Sequence, residues 1–387
     1  MKTQKSLRNF HSAKERKEFI QSDLKIKLPS LSLFSFTEDQ VLGKNIENLV
    51  GAIQIPLGIA GPLTINHKPN ILRHHYLPIA TTEGALVASI SRGAKAISES
   101  GGANFQIDDV GVTRAPVFKV KNISHAVSIQ TWLSQNYQKV KEICEKTSSH
   151  LKLKKVDSNF SGKNLFLRFH FDSDQAMGMN MATIAVESVV SFIEKETNSI
   201  CISLSGNYDV DKKPSWLNFI TGRGKRVWAE ALIKRSVVKS VLKTTPEKIV
   251  DLVSRKILTG SVMSGSIGFN AHFANVIAAI FAATGQDLGQ ITEGSLGITS
   301  AELDENKNLY ISVYLPSLMV GLVGGGTNLP AQKEALSITG AKSVIEFSGI
   351  VACAVLAGEL SLLASQSEGT LAKAHIKLGR KDNNVKG

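Results

Sequence analysis

Residues 115–205 alternate between two periodicities, and this constrains the fold more than any other feature of the chain. APVFKVKN opens the segment as a strand, Ser124 to Lys146 follows with helical spacing, KNLFLRFHF alternates as a second strand, Met177 to Lys195 is again helical, and SICISLSG closes it. Strand, helix, strand, helix, strand predicts an α+β sandwich of ferredoxin-like type. The flanks differ in character. ENLVGAIQIPLGIAGPL mixes β-branched residues with Gly and Pro, which makes extended segments and tight turns. After Thr81 and Thr82 as caps, Ala85, Ala88, Ser89, Gly93 and Ala96 give a close-packing small-residue helix that stops at Gly101-Gly102. Further helices are expected over 226–242, 246–258, 271–284 and 343–366. The alternating segment therefore reads as an insertion: an N-terminal helical arm at 1–46, a large domain from 47–114 and 206–387, and a small domain at 115–205.

At 387 residues with 43% hydrophobic and 20% charged residues, the chain has ordinary globular composition and too much length for one small core. The apolar run Ile350 to Ala364 is broken by Glu359, so no membrane span is expected. Lys2, Lys5 and Arg8 precede polar residues, which does not read as a secretory signal. Cys144, Cys201 and Cys353 are odd in number and far apart, without a CxxC pair or a His at ligand spacing; a cytoplasmic location without structural zinc or any other metal is expected. The net charge of +12 suggests nucleic acid at first, but residues 1–30 carry eight basic and three acidic side chains and residues 373–387 carry five and one. Three quarters of the excess lies in the two tails, aromatics are only 6%, and no nucleic-acid motif is present, so anionic small molecules are the better match.

Generic nucleotide signatures fail. GRGK at 222–225 lacks the rest of a P-loop, and no GxGxxG follows a strand. What remains is a set of glycine-bearing polar clusters: TTEG (81–84), DQAMGMNM (174–181), SGNYDVDKKP (205–214), GQD (285–287), GGGTNLP (324–330) and AHIKLGR (374–380). In this order, from Glu47 to Arg380, they resemble the hydroxymethylglutaryl-CoA reductase family, and the GNYxxDKKP form at 206–214 resembles its eukaryote-like class. The resemblance implies a large helical domain around a long central helix, interrupted by a small ferredoxin-like domain that binds NADPH. It implies reduction of hydroxymethylglutaryl-CoA to mevalonate and CoA in the isoprenoid route, by a homodimer or homotetramer with active sites between subunits.

Reducing a thioester to an alcohol requires two hydrides, a cation for the carbonyl oxygen and a proton for the departing thiolate. By resemblance Lys212 is that cation, Glu83 the acid, Asp287 the aspartate that bridges them, and His375 the donor to the thiolate. Outside that pattern they read as a surface lysine, a first-turn carboxylate, a turn aspartate and an exposed histidine. Arg114, Ser205, Asp211, Lys213, Lys256 and Asn270 match residues that hold the hydroxymethylglutaryl part, and Ser89, Arg92 and Lys95 match a CoA-contacting face that is otherwise a solvated basic helix. Ala176, Met177, Gly178, Met179 and Asn180 begin a helix whose free amides suit a dinucleotide pyrophosphate. The resemblance adds Ser149, His150, Gln175, Gly324, Gly325 and Thr327 to the cofactor site. The chain departs from the family at Asp174-Gln175, at His150 in place of Arg, at Met319 in place of Glu, at Ile291 in place of Asn and at Ala374 in place of Ser; Lys381 stands where animal enzymes carry a regulatory Ser. Two alternatives stay open: the reverse, NADH-dependent reaction, and a CoA-binding homologue without turnover. Lys152, Lys154 and Lys155 are the candidates for contact with a 2′-phosphate.

Overall fold

The computed structural model describes residues 10–25, 34–68 and 71–369. Its principal helices are α1 (Ala13–Leu24), α2 (Leu86–Glu99), α3 (Ile123–Gln135), α4 (Tyr137–Glu145), α5 (Met179–Thr197), α6 (Phe273–Thr284) and α7 (Val344–Ser367). The strands are β1 (Leu57–Lys68), β2 (Ile71–Ala80), β3 (Ala103–Arg114), β4 (Val117–Lys119), β5 (Lys152–Ser161), β6 (Asn164–Asp172), β7 (Ile200–Ser203), β8 (Gly224–Ile233), β9 (Gly268–Phe269), β10 (Gly297–Leu303) and β11 (Leu309–Leu318).

The 24-residue helix α7 is apolar nearly all round, so burial on every side is its stable solution. It is long and apolar enough to cross a bilayer, yet 94% of its most apolar window is buried inside the protein. Its one charged interior residue, Glu359, is fully buried and satisfied: it accepts from the backbone amides of Ala271 and His272 and from the Thr299 hydroxyl. A carboxylate at the uncapped start of α6 is favoured by the free amides and the helix dipole there. Small residues let neighbours approach the backbone of α7. A Cβ on Gly93 of α2 would lie 1.9 Å from the Ala357 carbonyl oxygen, and one on Gly349 would meet the Phe105 ring at 2.6 Å.

Against this helix lies a sheet in the order β2-β1-β3-β8-β11-β10-β9, antiparallel except where β1 meets β3 and β10 meets β9. The larger unit is thus mixed α and β rather than helical alone. The first half of the expected helix over 226–242 is β8, with helical turns only from Arg235. Val227, Ala229, Ala231 and Ile233 are buried, while Trp228, Glu230 and Leu232 face outward or are half-covered. That period of two prevails over the helix propensity of Ala, Glu and Arg because β3 and β11 pair with the strand on both sides. Helix α2 starts at Leu86 with Ala85 as its N-cap at φ 73°, so Thr81 and Thr82 are not its caps and Glu83 stands in the loop ahead of it. The helix expected over 246–258 continues as a π-helical stretch from Val253 to Gly260.

The inserted segment carries strand order β7-β4-β6-β5, all neighbours antiparallel, with α3, α4 and α5 as its helices. One helix over 124–146 was expected, but Asn136 leaves helical geometry between α3 and α4, its side-chain amide donating to the Trp132 carbonyl. Strand β5, where lysines dominate the sequence, is an edge strand paired only with β6, so its outward residues are polar and its alternation is weak. Strand β3 joins the two parts: through Gly111 it pairs with β8, and from Val112 to Arg114 it pairs with β6. The switch occurs at Gly111, whose φ is 89° and whose Cβ would strike the Phe171 carbonyl oxygen at 2.5 Å.

Gly93→Val should lower the urea midpoint strongly, because the clash is with backbone; overpacking costs about 1–3 kcal/mol even where side chains can move. Gly260→Ala, in helical φ with its nearest neighbour at 3.5 Å, should leave the midpoint unchanged or raise it.

Candidate active site

The loop between β7 and β8 holds three non-glycine residues in the left-handed region, Asn207, Val210 and Lys212. For β-branched Val210 this costs of order 1–3 kcal/mol and persists only where the surroundings impose it. Here they do. Val210 is buried, and its carbonyl accepts from the Asn218 side chain. Lys212 presents its backbone amide to the fully buried Glu293 at 2.7 Å. Glu293 also takes hydrogen bonds from Asn218, Ser317 and Arg223, and lies 2.5 Å from the Arg223 guanidinium. Arg223, itself 0% exposed, holds Thr113, Asp211 and Gln290 with its remaining donors. Both charges of the pair are compensated, which a buried pair needs.

The backbone of the loop being fixed, the Lys212 side chain extends outward and pairs with Asp287 at 2.8 Å, both groups partly open to solvent. Asp287 is itself oriented by accepting from the Gly289 amide. A Cβ at Gly289 would stand 2.7 Å from Lys212 Cδ and would push that side chain aside. The Gln286 side chain ties the GQD loop to the backbone just ahead of the GGGT loop, and the two loops approach closely at Gly285 and Gly326. Gln286 donates to the Gly321 carbonyl and accepts from the Gly321 amide, and a Cβ on Gly285 would sit 2.3 Å from the Gly326 carbonyl oxygen.

These elements line a cleft of roughly 700 Å³, walled by Arg114, Asp211, Lys212, Asp287, Ala176–Met181 and Gly324–Thr327. In the same lining α5 begins with Gly178 as N-cap at φ 92° and no side-chain cap, so its first amides are free for an anion. A Cβ on Gly178 would collide with Ser173 at 2.4 Å. Gly324 and Gly325, both at positive φ, have open space where a side chain would be. Lys44 and Asn45 reach the same cleft from the N-terminal region. Their part was invisible in sequence, where residues 1–46 read only as an arm.

A second cleft, of roughly 410 Å³, is lined by Glu83, Ser89, Arg92, Ala271, His272, Asn275 and Ser365, among others, and shares no lining residue with the first. Arg92 binds Ser361 and Ser365 of α7, and burial lowers its pKa from the ordinary guanidinium value. Ser89 donates to Ser361. Lys95, one turn on, points to solvent and pairs with Glu99.

The family model described as hydroxymethylglutaryl-coenzyme A reductase matches residues 12–380. The chain belongs to the hydroxymethylglutaryl-coenzyme A reductase family. Relatives bearing that enzyme's name include one from Pyrococcus horikoshii, 48% identical over 94% of this chain and 91% of its own, and one from Methanocaldococcus jannaschii, 46% identical over 94% and 92%. A relative from the plant Catharanthus roseus is 41% identical over 96% of this chain and 63% of its own. Among solved structures, a class II hydroxymethylglutaryl-CoA reductase from Streptococcus pneumoniae bound to NADPH superposes with a TM-score of 0.71 at 19% identity, covering 92% of this chain and 97% of that one. At that identity the likeness concerns the fold.

Of the positions that the resemblance to this family singles out, Arg114, Asp211, Lys212 and Asp287 meet in the larger cleft with Ala176–Asn180, Gly324, Gly325 and Thr327. Glu83, Ser89 and Arg92 meet in the smaller one. Arg114 is engaged by Asp209 at 2.9 Å and by Thr183, and Ser205 donates to the same Asp209. Asp209 is fully buried and was not singled out from sequence. Lys213 and Lys256 are exposed. The Asn270 side chain is occupied, donating to the Ser295 carbonyl and accepting from the Phe273 amide, whereas Asn275 and His272 face Glu83's cleft. Gln175 turns away from the cleft to accept from the Val344 amide at the start of α7. Ser149 and His150 are exposed, His150 paired with Asp174. Met319 is buried in the core of the small part. The three lysines taken as 2′-phosphate candidates are engaged elsewhere: Lys152 with Glu145, Lys154 with the Asp109 carbonyl and Lys155 with Asp157. His375 lies outside the described residues.

Arg223 and Glu293 lacked any motif in sequence; the only signal was GRGK, a failed P-loop. Glu293→Gln should destabilise the protein by about 3–5 kcal/mol by leaving Arg223 buried without its countercharge, read as a shift in the denaturant midpoint. Ser317→Ala, which removes one neutral donor, should cost far less.

Proposed function

We propose that this chain reduces hydroxymethylglutaryl-CoA to mevalonate and CoA with two equivalents of NADPH, as an enzyme of the eukaryote-like class. The Lys212–Asp287 pair carries the proposal, because it places a cation in a cleft whose lining includes an uncapped helix start and a glycine loop. Free amides and glycines without a Cβ to block approach fit a dinucleotide pyrophosphate, held by Ala176–Asn180, Gly324, Gly325 and Thr327, with Ser149 and His150 assigned to the far end of the cofactor. When bound there, NADPH supplies the hydride for each of the two reductions.

Lys212 would hold the thioester oxygen as negative charge develops on it, and Asp287 keeps the ammonium aimed and charged. Glu83 would give a proton to the second alkoxide and His375 one to the departing CoA thiolate. Arg114, Ser205, Asp211, Lys213, Lys256 and Asn270 are assigned to the hydroxymethylglutaryl part, with Asn275 a better-placed amide than Asn270. Ser89, Arg92 and Lys95 are assigned to CoA.

Glu83 and Lys212 line different clefts of one chain, which supports active sites shared between subunits of a homodimer or homotetramer. Exposed apolar residues such as Ile53, Trp216, Ile220 and Met263 support the same assembly. The antiparallel β7-β4-β6-β5 order supports a ferredoxin-like small domain at 115–205, and the buried α7 supports a central-helix large domain at 47–114 and 206–387. Free cysteines, two of them buried, support a cytoplasmic location.

Lys212→Met should lower turnover by about 10²–10³ or more while KM for the CoA thioester changes little, followed by loss of NADPH absorbance; retention of more than about a tenth of wild-type turnover would reject the role of Lys212. His375→Ala should impair reduction of the thioester much more than reduction of mevaldehyde, which has no sulfur to protonate. Equal loss on both would remove His375 as the thiolate's donor. Since Lys152, Lys154 and Lys155 are engaged within the chain, the preference for NADPH over NADH should be modest, and an equal or greater kcat/KM with NADH would favour the catabolic direction.

A further inference from the structure

We propose that His67, His75 and Glu346 form a binding site for one transition-metal ion of the Zn²⁺ type, away from the active site, where the β1–β2 hairpin meets the start of α7. His67 and His75 project from β1 and β2, and Glu346 lies in the first turn of α7. One donor atom from each residue falls within 4.8 Å of the others. His75 is buried, and the side chains of His67 and Glu346 are each 10% exposed.

The hydrogen bonding around the two rings is what points to a cation. His75 Nδ1 lies 2.7 Å from the Thr339 carbonyl oxygen, which only accepts, so Nδ1 carries the proton and Nε2 carries a lone pair. His67 Nδ1 lies 3.5 Å from Glu346 Oε1, the carboxylate oxygen offered as third ligand. The two Nε2 atoms confront each other at 2.7 Å, and the lone pair that His75 presents there is open to a proton carried by His67 or to a metal ion. An acceptor behind the far nitrogen is the arrangement that fixes the tautomer of metal-bound histidines. Two imidazole nitrogens on a tetrahedral ion at Zn–N distances of about 2.0–2.1 Å stand roughly 3.3 Å apart, so a small parting of the rings admits the ion.

Two imidazoles and a carboxylate select Zn²⁺ or Co²⁺ over Mg²⁺ and Ca²⁺, which prefer all-oxygen sites. Arg73, 2.9 Å from Glu346 Oε1 and half exposed, has room to swing into solvent and release the carboxylate. The ion would fasten the hairpin to the central helix and leave a fourth position for water. No step of the reduction passes through it.

The test uses the untagged full chain, stripped with chelator and titrated with Co²⁺ followed by its visible absorption and with Zn²⁺ by calorimetry. One ion per chain with tetrahedral Co²⁺ bands is expected, together with a higher Tm in excess Zn²⁺. His67→Gln and His75→Gln should each weaken binding by about tenfold or more and abolish the bands. His74→Gln, whose ring bonds Thr64 instead, should bind as wild type does. No stoichiometric binding by the wild-type chain would leave a shared proton between the rings and overturn the proposal, as would unchanged binding by His67→Gln. Should His75→Gln fail to fold, the wild-type spectrum and His67→Gln decide.

Discussion

The Arg223–Glu293 pair is the interaction on which the site depends. It is fully buried, and a buried charge is tolerable only with its partner and hydrogen bonds in place. Its position makes that requirement useful. Glu293 takes the Lys212 amide, Arg223 takes Asp211, and both reach elements from distant parts of the chain: β3 through Thr113, the turn after α6 through Gln290, and β11 through Ser317. Removing either charge would release several segments at once. The strained conformation at Val210 and Lys212 is held by this network, and with it the direction in which the Lys212 side chain leaves the loop.

A second constraint acts on a larger scale. An apolar helix of 24 residues has no polar face to offer solvent, so the sheet, α2 and α6 must enclose it. Enclosure at backbone distance is possible only with residues that lack bulk, which gives Gly93, Gly349 and Gly358 their places. Glu359 then serves as a charged tie inside the apolar core, anchoring the start of α6 through its free amides. Asp287 follows the other end of α6, after Thr284, so the rigid helix fixes both Asn275 on the Glu83 cleft and, beyond its last turn, the partner of Lys212.

The two clefts divide the candidate residues between them. Lys212 and Asp287 line one together with the start of α5, while Glu83 keeps company with Ser89, Arg92, His272 and Asn275 in the other. The larger is built from glycine-bearing turns, and the backbones of Gly285 and Gly326 touch.

Sequence by itself determined the ordered motifs and the alternation of strands and helices over 115–205. It also determined the chemistry available at Lys212, Glu83 and Asp287, because these follow from local pattern and residue type. It did not determine β8, since Ala, Glu and Arg in RVWAEALI satisfy a helix as readily as a strand until β3 and β11 supply hydrogen-bond partners. It did not reveal that Asn136 breaks a helix or that Ala85 starts one, since caps at positive or irregular φ are decided by packing. Glu293, Arg223 and Asp209 carried no spacing signal, because their importance lies in contacts such as Arg114–Asp209, Thr113–Arg223 and Arg223–Glu293, between residues 70–110 positions apart in the chain. The same holds for His67, His75 and Glu346. Only the tertiary structure decided which charges are buried together, and burial is what turns an ordinary ion pair into a scaffold.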